Sequence, residues 1–520
     1  MPTGSLIQTF APELLLIASA MLMLLATVWR PQGNEPGRAE GAERTAAFTR
    51  MAVVPCVLAA VVVIVSWGDG ATGTADLRIA SDGFRWMMDL IVLGGTILAL
   101  GLLDADHARG STYSPEVPVL MLLATSGMMV LAAARDLMYV FLGIELMSLA
   151  VYVLAGVSRR SARGAESAIK YFLLGAFATG FLLYGMALVY GATGSTRLVD
   201  IAAWVTLNAR LSPMFSIGMG LLVVGFAFKI AAAPFHMWTP DVYDGAPLPI
   251  TAYMSAVVKT AAFATFARVM TEAFGGAVTV WHPVLWWMAA LTMAVGNIFA
   301  LAQRNVVRML AYSSIAHAGY LLVTIVVNNN SGTAALLFYA VAYTLATMGT
   351  YAVLITVNDG RDHAPTLDDL AGLWLVRPRL AIAMSIFVLS LMGMPLVGGM
   401  GFFAKWYVLQ AALQATSAQT QLAIVLVVSS AVSAAYYLSI LAAMFMRPRV
   451  DARIVPIATS WSRGLIAVTA LLLLALGVYP LPASRLVHLA TSSSRSDSTR
   501  GTVPAVPKAR VNTASFIPDR

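Results

Sequence analysis

The chain has 520 residues, of which 59% are apolar and 11% charged, with a formal charge of +8 and a mean hydropathy of +0.79. That balance excludes a soluble globular domain and places the chain among polytopic membrane proteins. Its single cysteine, Cys56, excludes an internal disulfide and any multi-cysteine zinc or iron–sulfur site. On a membrane protein the positive surplus reports orientation, so nucleic-acid binding receives no support.

Taken in chain order, apolar runs long enough to span a bilayer cover 6–28, 51–67, 84–103, 117–134, 137–157, 168–190 and 213–233. Further runs cover 249–270, 284–301, 306–327, 332–357, 380–413, 422–446 and 464–479. Backbone groups in lipid must be satisfied within a segment, so continuous runs of this length predict helices rather than strands. The expected fold is all-α, a single membrane domain over 1–482 with about 14 transmembrane helices. No Lys or Arg precedes Arg30, so the first run lacks the basic flank of a cleaved signal and is expected to remain. The polar tail over 483–520 is rich in Ser and Pro and is expected to be disordered. Polar connections of at most about 20 to 25 residues leave no room for a soluble catalytic domain. There is no Gly-rich dinucleotide fingerprint and no P-loop, so any redox chemistry belongs to a partner.

Connections after odd-numbered runs carry 17 basic residues and those after even-numbered runs carry six. The positive-inside bias therefore predicts both termini on the periplasmic side, although the tail adds six further basic residues.

Lysine is distributed differently from arginine. Of five lysines, Lys170, Lys229, Lys259 and Lys405 interrupt or border apolar runs, whereas arginines lie in or near the connections. A buried ammonium can give up its proton while a guanidinium stays charged, so this placement points to proton handling. Glu145 reads as the carboxylate deep in a span, and pairing with Lys229 is the economical way to keep both charged. A pair that only fixes helix register is the alternative.

Four residues after Lys229 stands Ala233, then Pro234, which cannot donate a hydrogen bond and predicts a break that frees carbonyls at membrane depth. His236 follows by seven residues, about 10 Å along an ideal helix, within reach through water. Lys259 stands near the centre of its span and must face the bundle interior. Lys405 follows Pro395, Gly398, Gly399 and Gly401 in a run too long for one straight span, which predicts two half-helices. Lys170, near a span start, either snorkels or is buried. His317 lies among Tyr312, Ser313, Ser314 and Tyr320, where it either relays protons or packs as a hydrogen-bonded histidine. A scaffold whose buried charges merely lock helices together is the bland reading of the whole set.

The stretches Lys229 to His236 with Trp238-Thr239-Pro240-Asp241-Val242-Tyr243, Gly245-Ala246-Pro247-Leu248-Pro249 leading to Lys259, Tyr312 to His317, and Gly401-Phe402-Phe403-Ala404-Lys405 resemble the antiporter-like membrane subunits of respiratory complex I. The resemblance implies two inverted five-helix repeats with broken helices 7 and 12. It also implies a coupled pair at Glu145 and Lys229, a central relay at Lys259 and an exit-side group at Lys405. Within that family, lysine at 405 departs from one member's glutamate pattern. Its partners would be other membrane subunits and a peripheral arm with FMN and iron–sulfur clusters, acting on NADH and quinone in a bacterial inner membrane. This chain itself would hold no cofactor. Subunits of multisubunit cation/proton antiporters share the same features and form the alternative.

Overall fold

The computed structural model describes residues 7–28, 38–68, 78–108, 113–158, 161–208, 210–358, 364–395, 399–415, 417–449 and 459–480, with 484, 485, 487 and 491. Most of the tail predicted to be disordered lies outside them. The elements in order are α1 (Ala11–Val28), α2 (Arg38–Gly68), α3 (Gly83–His107), α4 (Glu116–Ala133), α5 (Leu137–Ala155), α6 (Ala162–Thr193), α7 (Leu198–Leu207), α8 (Pro213–Lys229) and α9 (Trp238–Gly245). Then come α10 (Leu248–Tyr253), α11 (Lys259–Arg268), α12 (Val278–Leu301), α13 (Val306–Val326), α14 (Asn330–Val357), α15 (Leu373–Val376), α16 (Pro378–Met392), α17 (Met400–Leu413), α18 (Thr420–Met446) and α19 (Ser460–Val478). Twelve described helices are long and apolar enough to cross a membrane, α10 and α11 counting as one. Two more crossings are made by shorter helices, α8 with the turn that follows it and α16 with α17, which accounts for the 14 predicted runs.

Polar side chains set where many of these helices start. Asp82, Asp136, Ser161, Ser212, Asn305, Asn329 and Thr459 each accept a hydrogen bond from a backbone amide of the first turn they precede, satisfying donors that lipid could not. The helices on the outside keep apolar residues exposed, among them Leu22 and Leu25 of α1, Val54 and Ile64 of α2, Phe177 of α6 and Leu471 of α19. The segment from Leu248 to Met270 is instead buried throughout.

Both expected breaks are present. Helix α8 stops at Lys229 itself, Ala231 takes a positive φ of 59°, and Pro234 follows in the turn. Helix α16 ends at Gly393, whose φ of 77° is left-handed; the Gly393 and Met394 amides turn back to the Leu389 carbonyl. One break had no sequence signal. Between α10 and α11 the chain makes a π-helical stretch, Met254–Val258, and another, Val269–Ala273, follows α11. Such bulges insert a residue without needing Pro or Gly.

A repeat is visible in the loops. The Leu137 amide donates to the Thr196 carbonyl and the Leu198 amide to Arg135, while the Val306 amide donates to Pro365 and the Leu367 amide to Arg304. Each residue of the second set lies the same distance along the chain from its counterpart in the first. In both sets the residue just before the first donor, Asp136 or Asn305, caps a helix and forms an isolated antiparallel bridge. Five crossings separate the two sets, an odd number, so they lie at opposite ends of the bundle and the repeat is inverted.

Candidate functional site

Three lysines are buried in the interior, and each is held by neutral oxygens. The Lys229 ammonium, on the last residue of α8, donates to Ser148 Oγ at 2.7 Å and to Tyr152 Oη at 2.9 Å, both on α5. At the first residue of α11, immediately after the π-helical stretch, the Lys259 ammonium donates to the Ser314 carbonyl at 3.0 Å and to the Ser314 hydroxyl. Lys405 lies in the second turn of α17 and reaches back across the break. Its Nζ donates to the Met392 carbonyl, the C-terminal residue of α16, at 2.7 Å and to Ser430 Oγ at 2.8 Å. A carbonyl exposed at the end of a half-helix carries the negative end of the helix dipole, a natural seat for an ammonium.

Helix α13 connects the last two lysines. Ser314, His317 and Tyr320 recur every three residues on one side of it. His317 hydrogen-bonds through Nδ1 to Tyr339 Oη at 2.6 Å and through Nε2 to Tyr437 Oη at 3.0 Å, and Tyr437 bonds in turn to Ser313. The Lys405 ammonium stands over the Tyr320 ring, 5.0 Å from its centroid. Ser314, which holds Lys259, and Tyr320, which meets Lys405, are thus six residues apart on α13, about 9 Å of helix, with His317 midway. Hydroxyls and imidazole both donate and accept, which is the chemistry that proton transfer requires.

The expected Glu145–Lys229 ion pair is not formed. Glu145 is half-buried and makes no ion pair or hydrogen bond among the described residues. Ser148 and Tyr152, three and seven residues further along α5, occupy Lys229 instead. Their spacing puts them on the same helix face as Glu145, a signal that was present in the sequence. Nor is Glu145 the sole carboxylate inside a span, because Glu13 of α1 and Asp89 of α3 are fully buried. Both stand close to the starts of apolar runs, where a carboxylate reads as facing the polar boundary.

The other predicted residues stand apart from the lysine row. Lys170 is 41% exposed and pairs with Glu166 at 2.6 Å and Asp241 at 3.1 Å. Asp241 also binds Arg308 at 2.9 Å, and Asp244 binds Arg163 at 2.7 Å and Asn305 at 2.6 Å. Burial works to raise the Asp241 pKa, but the hydrogen bonds from Lys170 and Arg308 outweigh it and hold the carboxyl below its ordinary value. His236 is half-buried in the turn after Pro234. Because α8 ends at Lys229, the straight-helix distance expected between the two does not apply. Pro395 lies in the second break, two residues after Gly393.

Ionic groups also gather at the end opposite Asp241. Asp82 accepts from Arg268 at 2.9 Å and from Arg135 at 3.0 Å, and both arginines bind Glu272. Arg85 and Arg268, assigned from sequence to connections, are buried within helices.

Comparison with known proteins adds a family to this geometry. Residues 134–433 match the family described as NADH:quinone oxidoreductase/Mrp antiporter, TM. Over 517 residues, 99% of each chain, the protein is 63% identical to the NADH-quinone oxidoreductase subunit N of Gemmatimonas aurantiaca. A chain of respiratory complex I from Thermus thermophilus with bound aureothin superposes with a TM-score of 0.75 at 36% identity, covering 93% of this chain and 99% of that one. A chain of the Mrp complex from a Dietzia species shares the fold, with a TM-score of 0.79 at 20% identity over 96% and 99% of the two chains.

Proposed function

The chain belongs to the NADH:quinone oxidoreductase/Mrp antiporter transmembrane family, and from that premise we propose that it is the N-type, proton-translocating membrane subunit of a bacterial NADH:quinone oxidoreductase whose protons travel along its buried lysines. The observation that carries this reading is the row Lys259, Ser314, His317 and Tyr320 to Lys405 along α13, in which an ammonium stands at each end of a helix face that carries a hydroxyl, an imidazole bonded to Tyr437, and a tyrosine ring.

In this mechanism the protein's own residues only hold and move protons. Lys229, held by Ser148 and Tyr152, is the first buried station; Lys259 is the central one; and Lys405, seated on the end of α16, is the last. No carboxylate pairs with any of the three among the described residues, so each ammonium is exposed to the field of whatever charge moves near it. A tenfold change in proton affinity corresponds to about 1.4 kcal/mol. Glu145, one turn along α5 from Ser148 and partly open to the outside of the chain, is the group through which a neighbouring subunit acts on Lys229. A carboxylate left facing lipid there would be costly, which argues that a partner covers it.

Electron transfer belongs to the rest of the complex. Partner subunits are expected to supply FMN and iron–sulfur clusters, with NADH and quinone as substrates of the whole assembly. The chain is a multi-pass membrane protein, with residues 1–482 as its membrane domain. The arginine distribution puts the Asp241 network on the cytoplasmic side and both termini on the periplasmic side.

The test is to tag the chain, extract it gently from its native membrane and assay what arrives with it. Co-purifying flavin, iron–sulfur clusters and NADH:quinone reductase activity are expected. Arrival with membrane subunits alone, and with salt-dependent Na⁺/H⁺ exchange, would favour the subunit of a multisubunit cation/proton antiporter, the second reading that the shared fold allows.

A further inference from the structure

We infer that Glu13 and Asp89 form a second proton-holding site, a carboxylate pair that keeps one proton between its members on the Arg85 guanidinium, away from the lysine row. Glu13 is 1% and Asp89 0% exposed, and Arg85 is equally buried. Arg85 Nη2 donates to Glu13 Oε1 at 2.7 Å, and Nε donates to Asp89 Oδ2 at 3.3 Å. Those two nitrogens share one edge of the guanidinium, the edge whose parallel N–H bonds ordinarily grip both oxygens of a single carboxylate. Here the edge is divided between two acids, which forces their oxygens side by side.

Two further donors of Arg85 go to backbone carbonyls. Nη1 binds the Ala80 carbonyl at 2.9 Å and Nη2 the Thr9 carbonyl at 2.8 Å. The second oxygens, Glu13 Oε2 and Asp89 Oδ1, are buried with no hydrogen-bond partner. Two ionised acids on one guanidinium leave a net negative charge in a fully buried site, and adjacent like charges cannot both persist there. A single shared proton removes the surplus and turns one orphaned acceptor into a donor.

The charges nearby do not remove it otherwise. Asp82 and Glu272 already stand against Arg135 and Arg268, two acids with two bases. Glu13 lies in the first turn of α1 and gains from the helix dipole, but that end carries only about half a unit charge, and Asp89 lies beyond the first turn of α3. A hard metal cation takes six or more oxygen ligands, and two carboxylates whose inner oxygens are already given to an arginine make a poor shell. The pair holds its proton whatever ion the lysine row carries.

Infrared difference spectra of the intact complex, wild type against Glu13→Gln and against Asp89→Asn, test this. The band to follow is the C=O stretch of a protonated carboxylic acid, recognised by its shift in heavy water. Each single variant is expected to assemble and to lose one such band, because the amide replaces the protonated acid while the remaining carboxylate takes both edge donors of Arg85. The double variant, leaving Arg85 without an anion, is expected to lose most of its assembled yield. Persistence of the band in both single variants overturns the inference, as does failure of both to assemble. Sodium-dependent stability of the wild type that vanishes in the single variants also overturns it, by assigning the balancing charge to a metal ion.

Discussion

At the scale of single residues, the chemistry rests on how ammonium groups are held away from carboxylates. Removing the Lys229 ammonium leaves two neutral hydroxyls rather than an unpaired charge, and Ser148 can bond a carbonyl of its own helix, so Lys229→Ala is expected to leave assembly largely intact while removing most of the quinone-coupled proton transfer. Proton uptake measured in inverted membrane vesicles checks it, and unimpaired uptake would take Lys229 out of the path. Glycines beside the lysines make a subtler test. A Cβ at Gly175 would stand 2.0 Å from the Tyr152 hydroxyl that holds Lys229. Gly175→Ala should therefore lower coupled turnover with little change in NADH oxidation by an artificial acceptor. Gly393 has a φ of 77°, and a Cβ there would come within 2.8 Å of the Lys405 side chain. Gly393→Ala adds backbone strain of about 1–2 kcal/mol to that collision, so both yield and pumping should fall, and a normal yield with normal pumping would contradict the seat assigned to Lys405. The Glu145–Lys229 pair shows how far residue types alone can lead. Economy of charge pointed to an ion pair; the spacing of Ser148 and Tyr152 marked them as sharing the Glu145 face, but only the packing of α5 against α8 decides which of the three the ammonium meets.

Among the elements, breaks bring the lysines to their partners. Pro234 and the glycines around Pro395 made two of them legible, because Pro removes a donor and Gly permits the left-handed turn. The π-helical stretch ahead of Lys259 was not legible, since Met254, Ser255, Ala256, Val257 and Val258 are ordinary helical residues; only packing reveals it. The loop bridges that display the inverted repeat were equally hidden, for they depend on backbone hydrogen bonds between connections far apart in sequence. Asn305 links these levels. Its Oδ1 accepts from the Val307 and Arg308 amides and its Nδ2 donates to Asp244. Asn305→Ala is expected to cost about 1 kcal/mol for the lost cap and to speed hydrogen exchange at the start of α13, and unchanged exchange there would show that the cap does not hold this end of the helix.

Across the whole molecule, two ionic networks close the ends and the lysine row runs between them. The Asp241 network has a pH signature whose sign is fixed. The folded carboxyl lies below its ordinary value, so its contribution to stability is present above that value and is lost as pH falls through the lowered one. Asp241→Asn should thus melt earlier than wild type at pH 7, and the difference should shrink only in acid below about pH 4; a difference that grew on acidification would reverse the assignment. Membrane topology and class were legible from composition and run length, since lipid leaves few alternatives. The buried acids Glu13 and Asp89 were not, because a lone carboxylate near the start of an apolar run looks the same whether it faces water or a buried arginine.

The most direct measurement is NADH-driven proton uptake by vesicles carrying the assembled complex with Lys259→Ala. Quinone-coupled uptake should collapse while electron transfer from NADH to an artificial acceptor stays near wild type. Uptake equal to wild type from a fully assembled Lys259→Ala complex would mean that the buried lysines do not carry the protons.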